Sequence, residues 1–274
     1  MINKIHNESC LLTMAKMPDD FIDLTVTSPP YDNLRTYDGN IAQWGEHIWK
    51  AVIQDLFRIT KQGGVVVWVV GDATIKGDET GTSFKQALYF KEIGFNLHDT
   101  MIYEKNGQGA VGSNYCYWQN FEYMFVFSKG KLKTFNPIID RENKIKEGIM
   151  SSNRRRADGS KDKTICLAKP FGKRFNIWKI TNLTKTTNHP APFPEKLAHD
   201  HIMSWSNEGD LVYDPFIGSG TTAKMANLNK RNFIGSEISK DYCDIAEKRI
   251  GDVISDKLNS QKDFVNESQN NIDG

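Results

Sequence analysis

"DPFIGSGTT", residues 214–222, is a glycine-rich segment between two regular elements. "GDLVYDPF" (209–216) runs into it as a strand, and "GTTAKMANLNK" (220–230) leaves it as a helix. Glycines between a strand and a helix let the backbone turn tightly and approach a ligand closely. The N-terminus of the helix adds unpaired N–H groups that attract polar ligand groups. The next strand, "RNFIGSEI" (231–238), brings Glu237 to its end, where a carboxylate accepts hydrogen bonds from both hydroxyls of a ribose.

A G-x-G turn is also compatible with a plain tight turn. Asp214-Pro215 at the mouth of the loop and Glu237 beyond it favour a nucleoside pocket. A triphosphate is disfavoured, because "GSGTTAK" lacks the G-K-[ST] order and a carboxylate at the mouth repels phosphate. S-adenosylmethionine, with an ammonium, a sulfonium and no phosphate, suits that charge. The expected cofactor set is Asp214, Pro215, Phe216, Gly218, Ser219, Gly220, Thr221, Thr222 and Glu237.

Outward from this loop, strands and helices alternate. "FIDLTV" (21–26) reads as a strand, "GEHIWKAVIQDLFRITKQGG" (45–64) as a helix stopped by Gly63-Gly64, and "VVVWVV" (65–70) as a central strand buried on both faces. "SFKQALYFKEIGF" (83–95) reads as a helix, followed by strands at 96–105 and 122–129. Helices are expected at 194–206 and 240–254. The pattern predicts an α/β fold with a doubly wound, mainly parallel, Rossmann-like sheet. Residues 130–188 break it: they are basic, polar and aperiodic, as in an inserted lobe or long loop, with "FNIWKI" (175–180) anchoring it through Trp178. The expected division is 1–129, 130–188, 189–254 and a polar, disordered tail at 255–274.

Composition narrows the class. The 274 residues carry a net charge of +1, no long apolar run and four scattered cysteines without a C-x-x-C pair. A cytoplasmic protein with reduced thiols, no zinc site, no membrane span and no signal peptide is expected.

"TSPPY" (27–31) ends the first long strand at the sheet edge where α/β folds bind ligands. Pro29 and Pro30 fix the direction of nearby carbonyls and offer no N–H of their own. The Ser28 hydroxyl and a neighbouring carbonyl can then accept both hydrogens of one NH₂ group. Such a grip favours a pyramidal nitrogen with its lone pair aimed at an incoming methyl. Tyr31 supplies a flat face for a base turned out of a duplex. Asp72, ending the central strand at the same edge, reads as a structural cap.

Together, "TSPPY" and "DPFIGSGTT" resemble the motifs of DNA amino-methyltransferases, which make N4-methylcytosine or N6-methyladenine; their order resembles the β class of restriction–modification systems. The resemblance covers most of residues 1–254. It implies catalytic Ser28, Pro29, Pro30 and Tyr31, and S-adenosyl-L-methionine as cofactor. It adds Phe193 in "NHPAPFPEKLAHDHI", Ser9 and Cys10 in the N-terminal lead-in, and Thr27 to the cofactor set. Ser9 stands where the family often has an acid, with Glu8 beside it. A serine at the head of the motif resembles the cytosine members more than the adenine members, and both stay open. Double-stranded DNA is the implied partner, contacted through Arg154, Arg155, Arg156, Lys161, Lys163, Lys173, Arg174 and Arg35. A cognate restriction enzyme and a homodimer are further implied partners, with a nucleoid-associated, cytoplasmic setting in a prokaryote or phage-infected cell. The alternatives are the same chemistry on RNA or a protein amide, and a binding module with a non-catalytic cofactor pocket.

Overall fold

The computed structural model describes residues 1–30, 44–105, 111–113, 116–181 and 194–252, of which 111–113, 152–154 and 164 by backbone alone. The chain divides into two compact units, one built from Met1–Asn136 and the chain from Ile177 onward, the other Pro137–Asn176. The expected tail at 255–274 lies outside the described residues.

The first unit holds an eight-stranded sheet. Its strands in chain order are β1 (Lys4–His6), β2 (Ile22–Thr27), β3 (Thr60–Val70), β4 (Asn96–Glu104), β5 (Phe121–Ser128), β6 (Ile177–Lys179), β7 (Leu211–Asp214) and β8 (Asn232–Ser236). The spatial order is β1-β8-β7-β2-β3-β5-β4-β6. Among the described residues of this sheet, only β5 runs antiparallel to its neighbours, and the other pairings are parallel. From β2 the chain winds outward through β3, and from β7 it winds the other way through β8. The direction reverses between β2 and β7, where the carboxyl ends of strands leave a crevice for a ligand.

Both faces of the sheet are covered. The helices α1 (Cys10–Ala15), α2 (Glu46–Ile59) and α3 (Thr82–Ile93) lie against one face. On α2, Trp49, Val52, Ile53, Leu56 and Ile59 recur at helical spacing and are buried there with Val66, Trp68 and Val70 of β3. The alternate residues Val65, Val67 and Val69 are equally buried on the opposite side. That side packs α4 (Glu195–Trp205), whose His201 reaches Met124 of β5. Two-sided burial explains why "VVVWVV" shows no polar alternation. Next in the chain are α5 (Thr221–Leu228) and α6 (residues 240–252). Among the described residues, no helix is long and apolar enough to cross a membrane.

The expectation for 45–64 needs correction. Helix α2 stops at Ile59, and residues 60–64 already belong to β3. The pairing of β2 with β3 shifts register between Ile22 and Leu24, opposite this stretch. Gly63, at φ +80°, and Gly64 serve that irregularity rather than a helix stop. A Cβ on Gly63 would stand 2.8 Å from Lys133 Cβ, and one on Gly64 would stand 2.9 Å from the Asp23 carbonyl. Asp72 does act as a cap: it accepts from the amide of Ser83 at 2.8 Å and from its hydroxyl, at the start of α3.

Residues 137–176 contain strands where no period was legible. Ile139–Glu142 pairs antiparallel with Phe171–Lys173, and Ile149–Arg155 pairs with Lys161–Leu167. "FNIWKI" contributes β6 to the edge of the main sheet, with Trp178 buried.

Candidate active site

Strand β2 ends at Thr27, and Pro29-Pro30 stop its ladder. Strand β7 ends at Asp214, and Glu237 directly follows β8. All three strands are parallel, so their carboxyl ends share one edge of the sheet. A hydrogen bond closes the switch point: Thr27 Oγ1 donates to Asp214 Oδ1 at 2.7 Å, across 187 residues of sequence. The residue preceding Ser28 therefore touches the first residue of the glycine loop. Ser28 and Pro30 are half-buried and Pro29 is buried.

The loop is held from several sides. Asp214 is buried; Oδ2 accepts from Thr222 Oγ1 at 2.7 Å, and Oδ1 also accepts from the Phe216 amide at 3.0 Å. Burial pushes its carboxyl up to about 6, against the lowering effect of those hydrogen bonds and with a further push from Glu237. Glu237 accepts from the Gly218 amide at 3.0 Å and from the Ser239 amide at 2.9 Å, so the loop and the start of α6 share one carboxylate. Gly220, at φ +84°, packs so closely on α6 that a Cβ there would stand 2.6 Å from Ala246 Cβ. Ser219, Thr221 and Thr222 are buried, and Gly218 is half-buried.

At the N-terminal lead-in, Ser9 stands at the N-cap position of α1 and Cys10 begins that helix. Cys10 is buried, close enough to Asp214 for their charges to interact, and its thiol is pushed up to about 12, chiefly by burial. Glu8 is engaged by Thr13 Oγ1 at 2.9 Å and Lys16 Nζ at 2.6 Å, which makes it a local structural acid. Tyr31, Arg35 and Phe193 lie outside the described residues, as does the side chain of Arg154.

Three groups escaped the reading of the sequence. Arg249 on α6 donates to the Ser219 carbonyl at 2.6 Å, to Ser219 Oγ at 2.9 Å and to Glu195 Oε1 at 2.8 Å. Lys224 reaches the same Glu195 oxygen at 2.7 Å, so the glycine loop, α4, α5 and α6 meet in one charged cluster. Trp44 meets Phe216 edge-on at 5.3 Å, and Phe216 in turn meets Trp68 at 6.4 Å. The only sequence signal for Arg249 was a cation on a helix after Glu237, and for Trp44 an aromatic just before α2.

A family model described as DNA methylase matches residues 22–248. The chain belongs to this family. It is a DNA methyltransferase of the N4/N6, restriction–modification type. It is 59% identical over 247 residues to the orphan methyltransferase M.BamHII of Bacillus amyloliquefaciens, a match that spans 86% of this chain and 91% of that protein. In fold it is similar to the cytosine-N4-specific PvuII DNA methyltransferase, with a TM-score of 0.66, 19% identity, and 89% and 85% of the two chains covered. It is also similar to the Thermus thermophilus protein TTHA0409 complexed with S-adenosyl-L-methionine, with a TM-score of 0.61, 22% identity, and coverage of 90% and 93%.

The family is S-adenosylmethionine-dependent, and the donor set of the crevice fits that cofactor. Asp214 ends one strand and Glu237 directly follows its neighbour, and the Glu237 charge raises the proton affinity of Asp214. Asp214 has no ion-pair partner among the described residues, so a cationic ligand is favoured there and a phosphate is repelled. The Nε1 of Trp44 is buried beside Phe216 without a hydrogen-bond partner among the described residues, which leaves a donor and aromatic surface facing the same loop.

Proposed function

We propose that this enzyme methylates the exocyclic amino group of a base turned out of duplex DNA, with N4 of cytosine as the favoured target. S-adenosylmethionine supplies the electrophilic methyl group. Ser28 and a carbonyl of the Pro29-Pro30 corner accept the two N–H bonds of the base and point its lone pair at that methyl. The C–S bond breaks as the N–C bond forms, and the amino nitrogen then loses one of its protons to solvent. No covalent enzyme intermediate is required. Tyr31 is assigned to stack on the extruded base. Asp214, Phe216, the 218–222 loop and Glu237 are assigned to the cofactor, with Ser9, Cys10 and Thr27 at the rim and Phe193 on the methionine side.

The single observation that carries this reading is the Thr27–Asp214 hydrogen bond of 2.7 Å. It joins the serine–proline corner to the glycine loop at the sheet's switch point, where transfer between two ligands needs both pockets to meet.

Residues 137–176 are assigned to DNA contact. Arg155 pairs with Lys161 across the longer ribbon, and Lys163 follows two residues along, so all three stand on one face and are exposed. Arg156 already has Asp162 at 2.7 Å, and Arg174 has Asp140. Lys173 is exposed on the shorter ribbon. Such cations hold phosphates, which sets affinity and salt dependence.

The test is incubation of the protein with double-stranded DNA and methyl-labelled cofactor, followed by digestion to nucleosides and mass spectrometry. N4-methylcytosine is expected. N6-methyladenine instead would keep the mechanism and correct the base, whereas unlabelled DNA would remove the reading. Modification-sensitive sequencing of host DNA then gives the site.

A further inference from the structure

A second aromatic feature stands on the catalytic edge. Strand β4 ends at Glu104, opposite Phe121 at the start of β5. Because β4 runs in the same direction as β2 and β3, the excursion 105–120 leaves the sheet at the edge where Thr27 ends. Its described part is a small antiparallel ribbon, Val111–Ser113 with Cys116–Gln119. Tyr117 is 100% exposed and Trp118 is 72% exposed. Successive strand residues point to opposite faces, so the ribbon presents one large aromatic ring on each side. Both rings are uncovered and so are available to stack on a planar partner.

The root of the ribbon is tied to the sheet by two contacts. The Lys105 amide donates to the Asn120 carbonyl at 2.8 Å, and Lys105 Nζ pairs with Glu122 at 2.6 Å. Below it, aromatic rings continue into the core: Phe121 meets Tyr123 at 5.3 Å, Tyr123 stacks on Phe125 at 5.2 Å, and Phe90 stacks on Phe127 at 4.1 Å. In the sheet order β5 is two strands from β2, about 10 Å at ordinary strand spacing. That is less than the width of a duplex.

We propose that Tyr117 and Trp118 enter the base stack of DNA at the target pair and hold it open while the target base occupies the catalytic edge. The inference rests on the methylation reading above and adds the element that opens the duplex. The ring faces replace stacking lost by the neighbouring bases, which lowers the cost of extrusion. Both residues are positioning residues, because neither is assigned to touch the reacting nitrogen.

The experiment compares wild type with Trp118→Ala, Tyr117→Ala and the double variant on two short duplexes carrying the mapped site. One is fully paired, and the other has a mismatch opposite the target base. On the paired duplex kcat/KM for DNA is expected to fall about tenfold or more in the double variant. On the mismatched duplex, where the base is already loose, it should return to within about threefold of wild type. Binding gives an activity-independent reading, since the variants should lose only affinity that depends on opening the pair. The proposal is overturned by equal activity of variant and wild type on the paired duplex, or by equal losses on both duplexes. A drop in particle mass on sedimentation of the double variant also overturns it, since the rings would then join two copies. A wild-type enzyme that leaves every duplex unmethylated sinks the methylation reading instead, and the binding comparison still decides the role of the ribbon.

Discussion

Around Asp214 the polar groups are buried and fixed by partners at 2.7–3.0 Å, whereas Arg155, Lys161 and Lys163 stand in solvent on an exposed ribbon. The two regions belong to one enzyme but bear different kinds of work. A buried, preorganised site acts on rate, because its dipoles need no reorganisation when charge develops. An exposed cationic face acts on affinity, through counterions displaced from phosphate. The sharpest way to break this contrast is at Ser28. Ser28→Ala is expected to lower kcat by about a hundredfold or more, the scale of a lost transition-state hydrogen bond, with cofactor affinity nearly unchanged. Single-turnover methylation and calorimetric titration of the cofactor check the two halves separately. A cofactor defect with normal turnover would mean that the corner belongs to the other pocket.

Asp214 gives the next largest effect and a pH signature. Its folded pKa of about 6 lies above the ordinary 3.8, so between these values the native state holds the extra proton. Stability contributed by this group therefore falls as pH rises from about 4 to about 6 and is flat beyond, a change of order 3 kcal/mol at most. Asp214→Asn should flatten that slope in denaturant titrations. A cationic cofactor favours the ionised carboxylate, so binding below pH 6 should release a proton and weaken as pH falls. Calorimetry in buffers of different ionisation enthalpy reads the proton directly. The variant should bind the cofactor about tenfold more weakly, the scale of losing one partly screened charge.

The core of this arrangement was legible and the ribbons were not, for physical reasons. "DPFIGSGTT" and "TSPPY" are local signals: glycines and prolines constrain their own backbone, whatever packs around them. The doubly wound sheet followed from buried β-branched runs alternating with amphipathic helices. The antiparallel course of β5 did not, because a strand buried on both faces has the same composition in either direction. Gly63-Gly64 misled because a glycine pair ends a helix as readily as it admits a bulge. Residues 137–176 lacked a period because Ile149, Ile165 and Leu167 are exposed along with the cations, so no apolar face separates from a polar one. Arg249 was invisible for a different reason: its partners are a backbone carbonyl and side chains 28 to 54 residues away. Arg249→Ala should raise KM for the cofactor by several-fold with kcat held, and Arg249→Lys should recover part of it, since one donor still reaches the loop.

The smallest effects belong to the ribbon and sharpen the contrast from the other side. Lys161 and Lys163 share a face with Arg155, and replacing either lysine with alanine removes one phosphate contact. Each change is expected to weaken DNA binding uniformly across sequences and to reduce the slope of log K against log salt by about 1, with kcat at saturating DNA unaltered. Arg156 provides an internal comparison within the same ribbon, because Asp162 at 2.7 Å already neutralises it. Arg156→Ala should therefore change the salt slope less than either lysine does. Fluorescence anisotropy across a salt series measures all three variants on one scale. If Arg156 gave the largest change instead, its bond to Asp162 would have to break on DNA binding, and the ribbon would behave as a surface that rearranges around the duplex rather than a preset one.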